Sequence, residues 1–354
     1  MDTPVTLSVI VPVYSVETGF LQECFESVLN QTFRDFELII VNDGAPADLT
    51  DYIDNYDYRN ANVTIIRQEN KGVANARNTG LKACRGKYVT FVDADDTIES
   101  KCFEETVGFA EKNSLQVLMF GTYIVYRDRK KTFSPYLTDI DHFNEQKKEE
   151  LILKCMVGIL PFYECPPASR DASGSAWAKL YRRDFLTDNN LYYTDGLKRA
   201  EDMEYNLRVF DKASNIGFLC SNYYNYRQIA DSATHIYRDG GLSVFTDTLA
   251  YIRSFITDSG KSELYEQVYY MRCMFFYLES MDMDYLNPNN PKPFKVRIRE
   301  LAKAAEGEPY REAFDNLRGD HLTFARRIPL FLIRHGLFAT LALFYSVYRK
   351  MNNG

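Results

Sequence analysis

The chain has 354 residues, 45% of them hydrophobic, and a formal net charge of −7. That is enough to bury a full core without disulfides, and its seven cysteines (Cys24, Cys84, Cys102, Cys155, Cys165, Cys220, Cys273) include no C-x-x-C pair, which speaks against a zinc site and for a reducing compartment. The acidic balance disfavours a nucleic-acid partner, and the start, Met1-Asp2-Thr3-Pro4, lacks the basic region of a signal peptide.

The first 120 residues alternate strand and helix. Leu7 to Val13 is a near-continuous apolar strand, followed by a helix whose Leu21, Cys24, Phe25, Val28 and Leu29 share one face. Phe36 to Val41 is a second strand, ending at Asn42-Asp43-Gly44, and Asp48 to Tyr56 reads as a short helix. Val63 to Arg67 is a third strand, and Gly72 to Cys84 a helix of small residues suited to close packing on a sheet. Tyr88 to Val92 is a fourth strand, with a helix near Lys101 to Lys112 and a strand near Gln116 to Phe120 behind it. This alternation predicts an α/β fold, a mostly parallel central sheet flanked by helices.

From Tyr126 to Arg170 the pattern weakens around a helix near Gln146 to Val157, either an acceptor-recognition insertion or a peripheral excursion. Beyond Asp239-Gly240-Gly241 the chain reads as helical, broken by Asn287 to Pro293. The expected division is a catalytic domain over 1–238 and a helical region over 239–354.

The fourth strand stops at Asp93-Ala94-Asp95-Asp96, three carboxylates in four residues. Carboxylates there are costly unless neutralised, and the crevice beyond the carboxyl ends of parallel strands is where α/β proteins bind ligands. Mg²⁺ or Mn²⁺ carrying a diphosphate meets both conditions, while Asp96 also suits a helix cap. Asn42-Asp43 could accept from a nucleobase N–H or merely shape a turn. Glu69 to Gly80 is a helix entry, where the N-terminus favours phosphate; Arg77 could meet phosphate, a base edge or a structural ion partner. Trp177, in Ser175 to Tyr181, could stack on a sugar or fill the core. Glu201 and Asp202 stand at a helix start, and His235 is either a further metal or diphosphate contact or a surface histidine.

As a set, these segments resemble family 2 glycosyltransferases of the GT-A fold, of the bacterial polysaccharide-biosynthesis type. The matching stretches are Ser8 to Tyr14, Ser27 to Thr32, Glu37 to Gly44, Asn70 to Gly80, Gly86 to Asp96, Lys179 to Tyr181 and Glu201-Asp202, spanning roughly residues 5 to 235. The second motif departs from the family pattern, reading Asn42-Asp43-Gly44-Ala45 for Asp-Asp-Gly-Ser. The resemblance implies a nucleotide-diphosphate sugar donor, usually a UDP-sugar, a Mn²⁺ or Mg²⁺ cofactor and inversion at the anomeric carbon. It puts Pro12, Val13 and Tyr14 beside the base, Asn42 or Asp43 with Arg77 on uracil, and Asp93 with Ala94 on the ribose side. Asp95 becomes the principal metal ligand, with His235 as a further one, Asp202 the catalytic base, and Trp177, Lys179 and Glu201 acceptor contacts. The acceptor expected is a saccharide hydroxyl, possibly on a polyprenyl diphosphate. Transfer to polyprenyl phosphate, or sugar-nucleotide binding without catalysis, are the alternatives.

From Leu317 onward six basic residues face one acid, Asp320, and Ile328 to Tyr348 is apolar but interrupted by Arg334-His335. The uninterrupted piece, Gly336 to Tyr348, is too short to span a bilayer, and the tail reads either as an interfacial helix pair (about 325–354) or as a buried terminal helix. The interfacial reading predicts a cytoplasmic enzyme, peripheral at the inner face of the plasma membrane.

Overall fold

The computed structural model describes residues 5–59, 61–157, 172–228, 237 and 239–352. They fall into two compact units, one holding the described residues up to Gln228 and the other those from 237 onward.

The first unit begins β1 (Leu7–Val13), α1 (Thr18–Leu29), β2 (Phe36–Asp43), α2 (Ala47–Asn55), β3 (Val63–Gln68), α3 (Val73–Ala83) and β4 (Tyr88–Phe91). Every residue of β1 and β2 is buried, as their unbroken apolar runs require. Each fully buried Val, Leu or Ile contributes about 1.5–3 kcal/mol. α1 buries Leu21, Cys24, Phe25, Val28 and Leu29, the face its periodicity marks. Then come β5 (Thr97–Ile98), α4 (Cys102–Lys112), β6 (Val117–Val125), β7 (Lys130–Phe133), α5 (Glu145–Val157), β8 (Lys179–Arg182), α6 (Arg183–Asp188), α7 (Glu201–Lys212) and β9 (Ile216–Arg227).

The strands form one sheet in the order β3-β2-β1-β4-β8-β6-β9-β5, with β7 on β6. β3, β2, β1 and β4 run parallel, as expected. The sheet then becomes mixed, because β8 enters antiparallel between β4 and β6. β8 and β5 are four and two residues long, too short for a periodicity to declare itself. β6 and β9 pair in parallel across a bulge at Phe120 to Thr122, which carries β6 to Val125, beyond the expected Phe120.

The amino ends of the parallel strands are locked by a buried polar knot. Ser8 Oγ donates to Glu37 Oε1 (2.6 Å), Arg85 N to the same oxygen (2.7 Å), and Gly86 N to Ser8 Oγ (2.9 Å). Burial pushes the Glu37 carboxyl up, but the hydrogen bonds from Ser8 and Arg85 outweigh it and hold it below its ordinary value. A Cβ on Gly86 would lie 2.5 Å from Ser8 N and 2.7 Å from the Leu7 carbonyl carbon. Gly86→Ala is therefore expected to cost about 1–3 kcal/mol, measured by urea unfolding, as overpacking against backbone does.

The second unit contains α8 (Thr246–Asp258), α9 (Glu263–Ser280), α10 (Phe294–Ala305), α11 (Tyr310–Asn316), α12 (Phe324–Arg334) and α13 (Phe338–Asn352). The break expected at Asn287 to Pro293 separates α9, with its terminal π-turn, from α10. α9 is central: Phe276 stacks on Phe245 (4.1 Å) and Tyr277 meets Phe314 edge-on (5.1 Å). Among the described residues no helix is long and apolar enough to cross a membrane. Two of the basic residues counted toward a lipid surface have other work. The Arg334 guanidinium donates to the carbonyls of Phe314, Asp315 and Leu317 at the end of α11, and Arg318 pairs with Glu263.

Candidate active site

The site lies where β1, β2 and β4 end. Val13 pairs with Asn42 at the ends of β1 and β2, and Tyr14, just beyond β1, is half exposed while Pro12 and Val13 are buried. Tyr14 is thus the ring that a planar ligand could reach from solvent.

Asn42 and Asp43 are buried and build the loops around this end of the sheet. Asn42 Oδ1 accepts from Ala45 N (2.8 Å) and its Nδ2 donates to Thr50 Oγ1 (2.9 Å), so the amide shapes the turn into α2. The Asp43 carboxylate accepts from Gln68 Nε2 (2.7 Å), Lys71 N (3.0 Å) and Gly72 N (2.9 Å). The backbone donors before α3, expected to meet phosphate, already face an internal carboxylate. Gly72 has φ 87°, a left-handed conformation that glycine adopts without strain.

The acid run divides sharply. Asp96 is buried: its Oδ2 accepts from Tyr224 Oη (2.8 Å) and its Oδ1 from Arg227 N (2.7 Å). It ties the run to β9 and is not the cap of the following helix, whose cap position is Lys101. Burial, with Asp93 and Asp95 beside it, pushes its pKa well above the ordinary range. Tyr224 Oη also accepts from Asp93 N (3.1 Å), and Arg227 Nε donates to Asp95 O (2.8 Å). Ala94 is buried between them.

Asp95 is half-buried, and its carboxyl is raised by burial and then by Asp93. A divalent cation would relieve both, so the donor chemistry of Asp95 with Asp93 fits one. Among the described residues no three His, Cys, Asp or Glu side chains converge as a metal cage. A cation here would therefore be completed by substrate phosphates and water, the usual mode for Mg²⁺. His235 lies outside the described residues.

Arg77, on α3, joins the remaining acids. Its Nη1 is 2.5 Å from Asp202 Oδ1 and 3.6 Å from Glu201 Oε1, and its Nη2 is 3.0 Å from Asp93 Oδ1. The Arg77 side chain is 3% exposed, that of Asp202 23%. Asp202 Oδ2 also accepts from Ala176 N (3.2 Å). Burial raises the Asp202 carboxyl most; Arg77 opposes, Glu201 and Asp93 add to the rise, and the net position is above the ordinary value of 3.8. One guanidinium thus brings together carboxylates more than a hundred residues apart in the chain. In this arrangement Arg77 faces acids, not an open base site.

Trp177 stacks nearly parallel on Tyr224 (4.8 Å) and Tyr226 (5.0 Å), forming the aromatic wall behind Asp96. Lys179, expected beside the acceptor, is instead fully buried, with Nζ donating to Ser175 O (2.6 Å) and Trp177 O (3.3 Å). An ammonium in a strand satisfies itself on backbone carbonyls when none of it reaches water. Sequence reasoning passed over Tyr224, Tyr226 and Arg227. Their signal was available: an aromatic strand ending in a base, the counterpart of β4 ending in acids.

The model of the family described as glycosyl transferase family 2 matches residues 8–168. The uncharacterized glycosyltransferase EpsJ of Bacillus subtilis is 30% identical over 331 residues, covering 90% of this chain and 91% of its own. The putative glycosyltransferase EpsH of the same organism is 28% identical, over 75% and 73%. Among solved structures, residues 1–349 of Staphylococcus aureus TarS in complex with UDP-GlcNAc superpose with a TM-score of 0.65 at 20% identity, covering 98% of this chain and 92% of that one.

Proposed function

This chain belongs to glycosyltransferase family 2 and has the GT-A fold, and we propose that it moves a sugar from a UDP-sugar to a hydroxyl of a saccharide acceptor, with inversion, in cell-surface polysaccharide synthesis. One observation carries the reading: a buried guanidinium holds Asp93 and Asp202 side by side where the parallel strands end. The UDP-GlcNAc bound by TarS, whose fold this chain shares, supports a nucleotide-sugar donor.

Tyr14, with Pro12 and Val13, flanks the base, and Asp93 lies toward the ribose. Asp202 takes the proton of the acceptor hydroxyl as that oxygen forms its bond to the anomeric carbon. The bond from that carbon to the diphosphate oxygen breaks, and its electron pair leaves with the diphosphate. A divalent cation held by Asp95, with Asp93 beside it, would supply positive charge for the diphosphate. Glu201 and Trp177 border the acceptor side. A panel of nucleotide sugars, screened with Mn²⁺ for thermal stabilisation and slow donor hydrolysis, tests this. Stabilisation and hydrolysis by one UDP-sugar is the expected result, and a chain indifferent to the whole panel would refute it.

The same reading takes a lipid-linked acceptor at the inner face of the plasma membrane. Its support is the second unit's surface: Phe324 is 80% and Leu343 67% exposed, and Phe331, Leu337 and Val347 are also exposed. Arg326, packed over Phe275, and Arg327 stand on the same pair of helices. Apolar side chains facing solvent beside basic ones suit the interface of an anionic bilayer. Deleting residues 325–354 is expected to move the protein from the membrane pellet to the supernatant; an unchanged distribution would refute the interfacial reading.

A further inference from the structure

We infer that the cavity between the β6–β7 hairpin and the start of α4 is a second saccharide-binding site, which holds a sugar unit of the acceptor chain away from the bond being made. The choice of a saccharide rests on the acceptor proposed above; the site itself rests on the geometry of the first unit. The cavity has a volume of about 410 Å³, within the range of about 300–1,000 Å³ usual for small-molecule sites. Its walls are Tyr123 of β6, Asn222 and Tyr223 of β9, Glu99 and Lys101 before α4, and Lys130 of β7. Tyr223 turns toward α4, with Glu105 and Cys102 in electrostatic range, whereas Tyr224 turns toward Trp177 and the acid run. The cavity is therefore separate from the reaction centre.

The bulge between β6 and β9 builds this opening. Phe120 pairs with Leu219 but Gly121 pairs with Asn222, so β9 carries Cys220 and Ser221 as extra residues, and Tyr223 is a further one before Thr122 meets Tyr224. A bulge re-aims the side chains beside it. Gly121 is part of the device, because a Cβ there would lie 2.4 Å from Asn222 Oδ1. That oxygen is buried with no partner among the described residues, so the amide at the cavity wall has acceptor capacity unspent.

The charged pair in the cavity is presented to solvent on a fixed frame. Lys130 Nζ donates to Glu99 Oε1 (2.5 Å), the two side chains are 40% and 41% exposed, and the ammonium lies 4.0 Å from the centre of the Tyr123 ring. Burial raises the Glu99 carboxyl, but hydrogen bonds from Lys130 and Asn225 outweigh it and keep the group a carboxylate. The backbone of Glu99 is held from three sides. Its N–H donates to Tyr223 O (2.8 Å), and its carbonyl accepts from Gln31 Nε2 (2.8 Å) and Cys102 N (2.9 Å). A carboxylate only accepts and an ammonium only donates, so the pair suits the adjacent hydroxyls of a sugar, whose C–H face lies well on an aromatic ring. A phosphate group suits the cavity less, because Glu99 already neutralises Lys130 and would repel a second anion.

The test titrates the full chain with linear tetramers of glucose, galactose and N-acetylglucosamine, followed by saturation-transfer NMR and calorimetry. At least one tetramer is expected to bind the parent. Its affinity is expected to fall about fivefold or more in Lys130→Met and in Glu99→Gln, as the loss of a charged hydrogen-bond partner does. It is expected to fall about tenfold in Tyr123→Ala and to stay within about twofold of the parent in Tyr123→Phe, which keeps the ring. A half-exposed ion pair contributes little to stability, so the two charge variants keep the fold even where Tyr123→Ala does not. Hydrolysis of the donor that the nucleotide-sugar panel identifies is expected to stay within about twofold of the parent in Lys130→Met and Glu99→Gln. No tetramer bound to the parent, binding undiminished in both charge variants, or displacement of the tetramer by inorganic phosphate would each overturn the inference. Tetramer binding that the variants weaken, in a chain that hydrolyses no nucleotide sugar, would support the site and refute the transferase reading instead.

Discussion

Asp202→Asn is expected to reduce sugar transfer by at least about 10²-fold while UDP affinity stays close to the parent value. The amide keeps the size of the carboxylate and can still accept from Ala176 N through its oxygen. It cannot take a proton, and it brings no negative charge to the Arg77 fork. If Asp202 served only to neutralise Arg77, the variant would lose stability and little else, because Asp93 and Glu201 also face that guanidinium. Steady-state kinetics beside a calorimetric UDP titration separate these cases. A kcat within a few-fold of the parent would remove Asp202 from the role of base.

The two neighbouring acids at the end of β4 are expected to fail in opposite ways. Asp95→Ala should leave folding intact and remove the metal-dependent part of UDP affinity, so that the variant titrates with UDP in Mn²⁺ as the parent does in EDTA. Asp96→Ala should lose about 2–3 kcal/mol of stability, because the Tyr224 hydroxyl and the Arg227 N–H both lose a buried acceptor. Asp96→Asn keeps one acceptor oxygen of the two and relieves repulsion from Asp93 and Asp95, so its cost is expected to be smaller than that of Asp96→Ala. Urea unfolding and calorimetry on the three variants decide the matter. An Asp95→Ala protein that still gains UDP affinity from Mn²⁺ would end its assignment as ligand.

Why Asp96 is tied into the fold while its neighbour Asp95 is left half-buried was not legible in the sequence. Asp95 and Asp96 are adjacent and alike; what separates them arrives on β9, more than a hundred residues later, as a phenol and a backbone N–H. β1, β2 and β4 were legible because strands buried on both faces must be apolar throughout, and α1 because its buried face repeats at helical spacing. β8 was not, since four residues carry no period, and its lysine reads as an acceptor contact until its ammonium is seen to end on carbonyl oxygens. Asn42 and Asp43 stand out in the sequence, but a polar side chain at a strand end serves a loop or a ligand with the same composition. Only the positions of Ala45, Thr50, Lys71 and Gly72 tell which.

The stacking of Trp177 on Tyr224 has a practical side. Trp177 is the chain's single tryptophan, and the phenol beneath it is hydrogen-bonded to Asp96 and to the backbone of Asp93. The indole emission therefore comes from one place, two contacts from the acid run. A cation or nucleotide that shifts those acids changes the field at that ring, so the protein carries its own optical probe of occupancy, with no label to perturb it.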